Sequence, residues 1–180
     1  MRRTGTRGRA LLLLGLAGAA IAAVNGLDLP LTARHLKRLA GGEPLLDLCI
    51  GYGAEEAHRL LSRLGASGRS SYLTMLWTVD LVLPALFGVA LWMAIGAGSF
   101  VRWRRLALAA AVADYLENIG ISALIFGYPD LHPSLAALAA FLTAAKFSLY
   151  ALAAGAAVAG LWMAWRPAVT RDHASGGSTS

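Results

Sequence analysis

Four long apolar runs, separated by polar and basic segments, dominate the chain. They extend from about Ala10 to Leu29, Tyr72 to Ile95, Leu106 to Phe126 and Leu135 to Trp165. Each supplies the roughly 20 apolar residues with which a helix crosses about 30 Å of hydrocarbon. The fourth is long enough to tilt or to extend past the interface. Alanine, glycine and leucine fill these runs and β-branched residues are sparse, which favours helices over strands. Between the first two runs the pattern is mixed. Ala54 to Leu64 places Ala57, Leu60, Leu61 and Leu64 on one helical face and Glu55, Glu56, Arg59 and Arg63 largely opposite, with Gly65 where a helix stop belongs. The expected fold is all-α: one four-transmembrane-helix bundle over residues 1–169, with a short extracytoplasmic amphipathic helix within the outer segment 32–71. Residues 170–180, polar and rich in Ser and Gly, are expected to form a disordered tail.

Composition supports this picture and excludes several function classes. Hydrophobic residues make up 57% of the chain and charged residues 14%, against roughly 25% charged in soluble domains. The mean hydropathy is +0.59. A net charge of +6 would ordinarily raise nucleic acid as a partner. Here the Lys and Arg residues cluster at the ends of apolar runs, the pattern that orients membrane proteins, so no nucleic acid is expected. The lone Cys49 excludes an internal disulfide, a redox pair and a cysteine-ligated metal. His35, His58, His132 and His173 all fall outside the apolar runs, which disfavours paired haem ligands. No metal or cofactor is expected.

Orientation follows from the basic clusters. Arg2, Arg3, Arg7 and Arg9, then Arg102, Arg104 and Arg105, then Arg166 and Arg171 all fall on one side. The positive-inside rule makes that side cytoplasmic. The expectation is a multi-pass protein of the cell membrane with both termini in the cytoplasm. The outer segment is itself basic, and Glu43, Asp47, Glu55 and Glu56 balance it in part. Trp92, Trp103, Trp162 and Trp165 fit an interfacial belt. The first run has a second reading as a cleaved signal peptide, from its basic start and Ala20-Ile21-Ala22. Its length exceeds the usual core of ~7–15 residues, which favours a retained helix.

The candidate chemistry lies inside the apolar runs. Asp80 precedes Pro84 in the second, Asp114-Tyr115-Leu116-Glu117-Asn118 interrupts the third, and Lys146 lies in the fourth with Thr143 and Tyr150 a turn away on either side. Asp114, Glu117 and Asn118 share one helical face. With a rise of 1.5 Å per residue, Asp80 and Asn118 lie about 12 Å from the outer end of their runs, Glu117 about 14 Å, Lys146 about 17 Å and Asp114 about 18 Å. These depths are compatible with one polar cluster, and a salt bridge from Lys146 to Glu117 or Asp80 is the leading expected contact. Ionisable groups at such depth normally face the bundle interior or a wet cavity. Pro84 is expected to kink its helix and free backbone carbonyls near the cluster.

Four spans, a long first outer segment and the run Asp80-Leu81-Val82-Leu83-Pro84 loosely resemble the EXPERA membrane proteins, which include sterol isomerases and sterol-binding receptors. The resemblance implies a lipid-accessible cavity with acidic residues. It transfers no functional residue, and Asp114–Asn118 aligns with no family motif. The first functional expectation is a binding module: a lipid or small amphiphile contacting Asp80, Asp114, Glu117, Asn118, Lys146 and Tyr150. The second is a membrane-embedded lipid or isoprenoid isomerase or cyclase, with Asp80, Asp114 and Glu117 as candidate acid–base groups. A proton-coupled carrier follows from the excess of carboxyls over ammonium, and would require a homodimer. A structural subunit with a buried ion pair and a membrane-protein partner is the remaining alternative.

Overall fold

The computed structural model describes residues 2–97 and 101–165. Every regular element among them is helical, and four helices are long and apolar enough to cross a membrane. The helices are α1 (Arg2–Gly26), α2 (Ala33–Leu39), α3 (Ala54–Gly96), α4 (Arg104–Gly127) and α5 (Pro133–Trp165). Short 3-10 turns occupy Leu46–Leu48 and Val101–Trp103. The tail expected at 170–180 lies outside the described residues.

α3 joins the amphipathic outer helix and the second apolar run, with a break at the glycine between them. Gly65 has φ 64° and ψ −178°, a conformation that a side chain strains. The break releases the Leu61 carbonyl, and Arg69 turns back to donate to it at 2.8 Å. Ala57, Leu60, Leu61 and Leu64 are buried, as the amphipathic pattern requires. At the start of α3 the Gly53 N–H donates to the Glu56 carboxylate at 2.9 Å. That backbone bonding, at Glu56 itself and at Gly53, holds the Glu56 carboxyl below its ordinary value.

The outer segment holds one more helix than the periodicity indicates. Thr32 caps α2, accepting from the His35 N–H at 3.3 Å. α1 ends at Gly26 and leaves Asp28 outside the helix, 2.8 Å from Arg38 and 2.9 Å from His35. His35 first, then Arg38, holds the Asp28 carboxyl low. Glu43 bridges to Arg59 and Arg63 at 3.1 and 3.2 Å. Tyr128, in the turn between α4 and α5, lies under the Arg69 guanidinium at 4.3 Å and against the His58 ring at 5.1 Å. These contacts fasten the outer segment and that turn to the first part of α3.

Two apolar cores hold the helices together. The outer one gathers Leu36, Leu45 and Leu61 with Tyr72, Met75 and Leu76 of α3, Ile121 and Leu124 of α4, and Ala139 of α5. The other joins Ala10, Leu91, Ala94, Ile95, Ala107, Ala153 and Ala157. It therefore brings together the first half of α1, the end of α3, the start of α4 and the last part of α5. Small residues set the spacing: a Cβ on Gly120 would lie 3.3 Å from that of Ala139, and one on Gly88 3.4 Å from that of Ala111. Leu108, Val112, Leu116 and Ile119 form an exposed stripe on α4, opposite its buried alanines. Only 11% of the apolar stretch of α1 is buried within the chain, against 56% for α4, so α1 is peripheral and α4 central.

Replacing Gly65 with alanine forces a side chain into a backbone region that glycine occupies freely. Gly65→Ala is expected to lower stability by about 1–3 kcal/mol, read from thermal or denaturant unfolding of the detergent-solubilised protein.

Candidate functional site

Between the two cores lies a polar layer, and each of the three central helices contributes to it at the corresponding height. α4 presents Asp114 and Glu117 on one face, and α5 presents Thr143, Lys146 and Tyr150 at spacings of three and four residues. The Lys146 ammonium lies 3.1 Å from Asp114 Oδ1 and is also ion-paired with Glu117 Oε2. The Thr143 hydroxyl donates to the other Glu117 oxygen. The Tyr150 hydroxyl donates to Asp114 Oδ2 at 3.2 Å. Glu117 is fully enclosed, while Lys146 and Asp114 keep a small exposure. Of the two expected partners, Lys146 pairs with Glu117 and not with Asp80. Its second partner is Asp114, whose depth of about 18 Å lies close to the about 17 Å of Lys146.

Pro84 accounts for the role of Asn118. Proline has no N–H, so the Asp80 carbonyl one turn earlier loses its helical donor. Asn118 Nδ2 of α4 donates to that carbonyl and to the Leu76 carbonyl, both at 3.3 Å. The Tyr115 hydroxyl donates to the neighbouring Leu81 carbonyl at 2.8 Å. Ser122 extends the contact, receiving Trp77 Nε1–H at 3.0 Å and donating to the Asn118 carbonyl at 2.7 Å. The carbonyl that Pro84 frees in α3 is thus satisfied by a side chain of α4.

Beside the ion pairs is a cavity of about 250 Å³. Its walls are Ile21, Val24 and Asn25 of α1, Asp80, Leu83, Pro84 and Phe87 of α3, Asp114 of α4, and Lys146, Phe147 and Tyr150 of α5. Asp47 and Leu48 of the outer segment also line it. α1 packs on α3, and α5 on α3 and α4, so the cavity lies where α1 and α5 face each other without close packing. Of the residues expected at a site, Asp80, Asp114, Lys146 and Tyr150 line this cavity. Glu117 and Asn118 do not; the first is sealed behind Lys146 and the second is committed to the α3 backbone.

Asp47 is the residue that sequence reasoning missed. It reads as a counterweight to outer arginines, yet it is buried, 6% exposed, and lines the cavity. The Tyr72 hydroxyl donates to its Oδ1 at 2.5 Å, and the Asp47 N–H donates to the same hydroxyl at 3.3 Å. A signal was present: Asp47 is the one polar residue in the run from Leu45 to Ile50. Tyr52, also in the outer segment, is buried, and its hydroxyl has no hydrogen-bond partner among the described residues. Burial, and secondarily the Glu117 carboxylate, pushes the Tyr52 phenol well up, so it stays protonated.

Among the described residues no group of His, Cys, Asp and Glu is arranged to hold a metal ion. No protein-family model, curated protein or solved structure matches the chain. Function is therefore argued from the site alone.

Removing the ammonium strands two carboxyls. Lys146→Met is expected to cost about 3–5 kcal/mol, the usual effect of deleting one partner of a buried pair. Adding Glu117→Gln to that variant should recover part of the loss, and a double-mutant cycle measures the coupling.

Proposed function

We propose that the chain is a multi-pass protein of the cell membrane, with both termini cytoplasmic, that binds a lipid or small amphiphile in the cavity between α1, α3 and α5. The observation that carries this reading is the cavity's composition. Leu83, Pro84, Phe87 and Phe147 give it apolar walls, and Asp80, Asp114 and Lys146 converge at one side. An apolar hollow with a few convergent polar groups is the usual form of a small-molecule site. Its place at the level of the intramembrane charges suits a ligand with an apolar body and a polar head. The orientation rests on the basic residues that the helices gather at one end: Arg9 of α1 and Arg102, Arg104 and Arg105 around the start of α4.

Co-purification tests this reading. The wild type is expected to carry an enriched lipid species that mass spectrometry identifies. Leu83→Trp, which fills the cavity without touching an ion pair, should reduce that species about tenfold, some 1.4 kcal/mol of binding, while the melting temperature is retained. Identical lipid profiles for the two proteins would sink the binding reading. The polar layer would then be a structural ion-pair network.

A further inference from the structure

Carboxyl groups outnumber cationic groups around this cavity. Lys146 is the one cation among its lining residues, and Asp114 and Glu117 both engage it. Asp47 and Asp80 remain. The Asp80 carboxyl forms no hydrogen bond or ion pair among the described residues, and Asp47 commits only Oδ1, to Tyr72. Five outer arginines are engaged elsewhere: Arg34 with the Gly26 carbonyl, Arg38 with Asp28, Arg59 and Arg63 with Glu43, and Arg69 with the Leu61 carbonyl and the Tyr128 ring. Two carboxyls on separate elements, one on the outer turn and one on α3, therefore face an apolar hollow whose one lining cation, Lys146, is already shared between Asp114 and Glu117.

This arrangement discriminates among amphiphile heads. A phosphate or carboxylate head would add negative charge to a low-dielectric space already in excess, where like charges repel far more strongly than in water. A hydroxyl would hydrogen-bond and leave the imbalance in place. A protonated amine lowers it and ion-pairs with carboxyls that Lys146 does not engage, and the ring of Phe87, held against Tyr150 at a centroid distance of 5.1 Å, offers a face of the kind that attracts an ammonium.

Resting on the lipid-binding reading above, we propose that the cavity is selective for an amphiphile with a protonated organic amine as its head. The ammonium sits between Asp47 and Asp80, and the apolar body lies along Leu83, Phe87 and Phe147. Because Asp47 belongs to the outer segment, the bound ammonium also ties that segment to α3.

The test uses the full chain in nanodiscs of zwitterionic lipid, titrated with dodecylamine, dodecanol and dodecanoate. Dodecylamine is expected to bind the wild type at least about tenfold more tightly than dodecanol, equivalent to 1.4 kcal/mol, with dodecanoate weakest. Asp80→Asn should bring amine and alcohol close to parity, and Asp47→Asn should reduce the preference in the same direction. If Asp80→Asn does not fold, Asp47→Asn carries the comparison. Dodecylamine should also slow amide exchange across residues 44–52 in the wild type. Dodecanol binding as tightly as the amine would overturn the inference and leave the lipid-binding reading standing. An amine preference that survives in both variants would overturn it as well. Failure of all three probes to bind would count against both.

Discussion

The ammonium of Lys146, shared between Asp114 and Glu117, is the contact on which the arrangement of the helices turns. A charge this far inside an apolar assembly is tolerated only where its partners are already in place. The partners here are exacting about register. Asp114 and Glu117 lie three residues apart on α4, and Thr143, Lys146 and Tyr150 follow at three and four on α5. All four polar contacts between the two helices form in one alignment, and sliding either helix by a residue would rotate its polar groups off the shared face. The outer and inner apolar cores are less discriminating, because alanine-rich surfaces pack in many registers. The ion pairs select one of them.

α3 is attached by other means. Its proline interrupts the helical hydrogen-bond ladder, and α4 repairs the gap with Asn118 and Tyr115. The defect in α3 and the donors on α4 are thus complementary parts of one joint. Among the described residues, α1 has no comparable attachment to the polar layer. It leans on α3 through apolar contacts near Ala10 and Val24 and leaves space toward α5. The cavity results from this inequality: three helices are locked by polar groups, and the fourth only covers them.

Much of this was legible in the sequence, for physical reasons. Hydrophobic periodicity identified the apolar helices and the buried face of Ala57, Leu60, Leu61 and Leu64. Gly65 signalled a break because only a residue without a side chain takes its backbone angles freely. The i, i+3, i+4 spacing placed Asp114, Glu117 and Asn118 on one face. Spacing along one helix says nothing about which partner helix each residue meets, so it did not separate Asn118, which bonds backbone, from Glu117, which bonds an ammonium. The depth estimates of about 17 Å for Lys146, about 18 Å for Asp114 and about 12 Å for Asp80 already matched Lys146 better to Asp114 than to Asp80. Asp47 and α2 were missed because their surroundings are made by the tertiary fold: a short polar-rich segment has no period from which burial can be read.

The turn between α4 and α5 spans only residues 128–132. The helix that carries Lys146 and the helix that carries its two carboxyl partners are therefore consecutive and close along the chain. Inserted alone, α4 would bring two acids into lipid and α5 an unpaired lysine, each at substantial cost. As a hairpin they give Lys146 both of its carboxyl partners. The order of helices along the chain thus makes α4 and α5 a unit that satisfies its own buried lysine with little intervening chain.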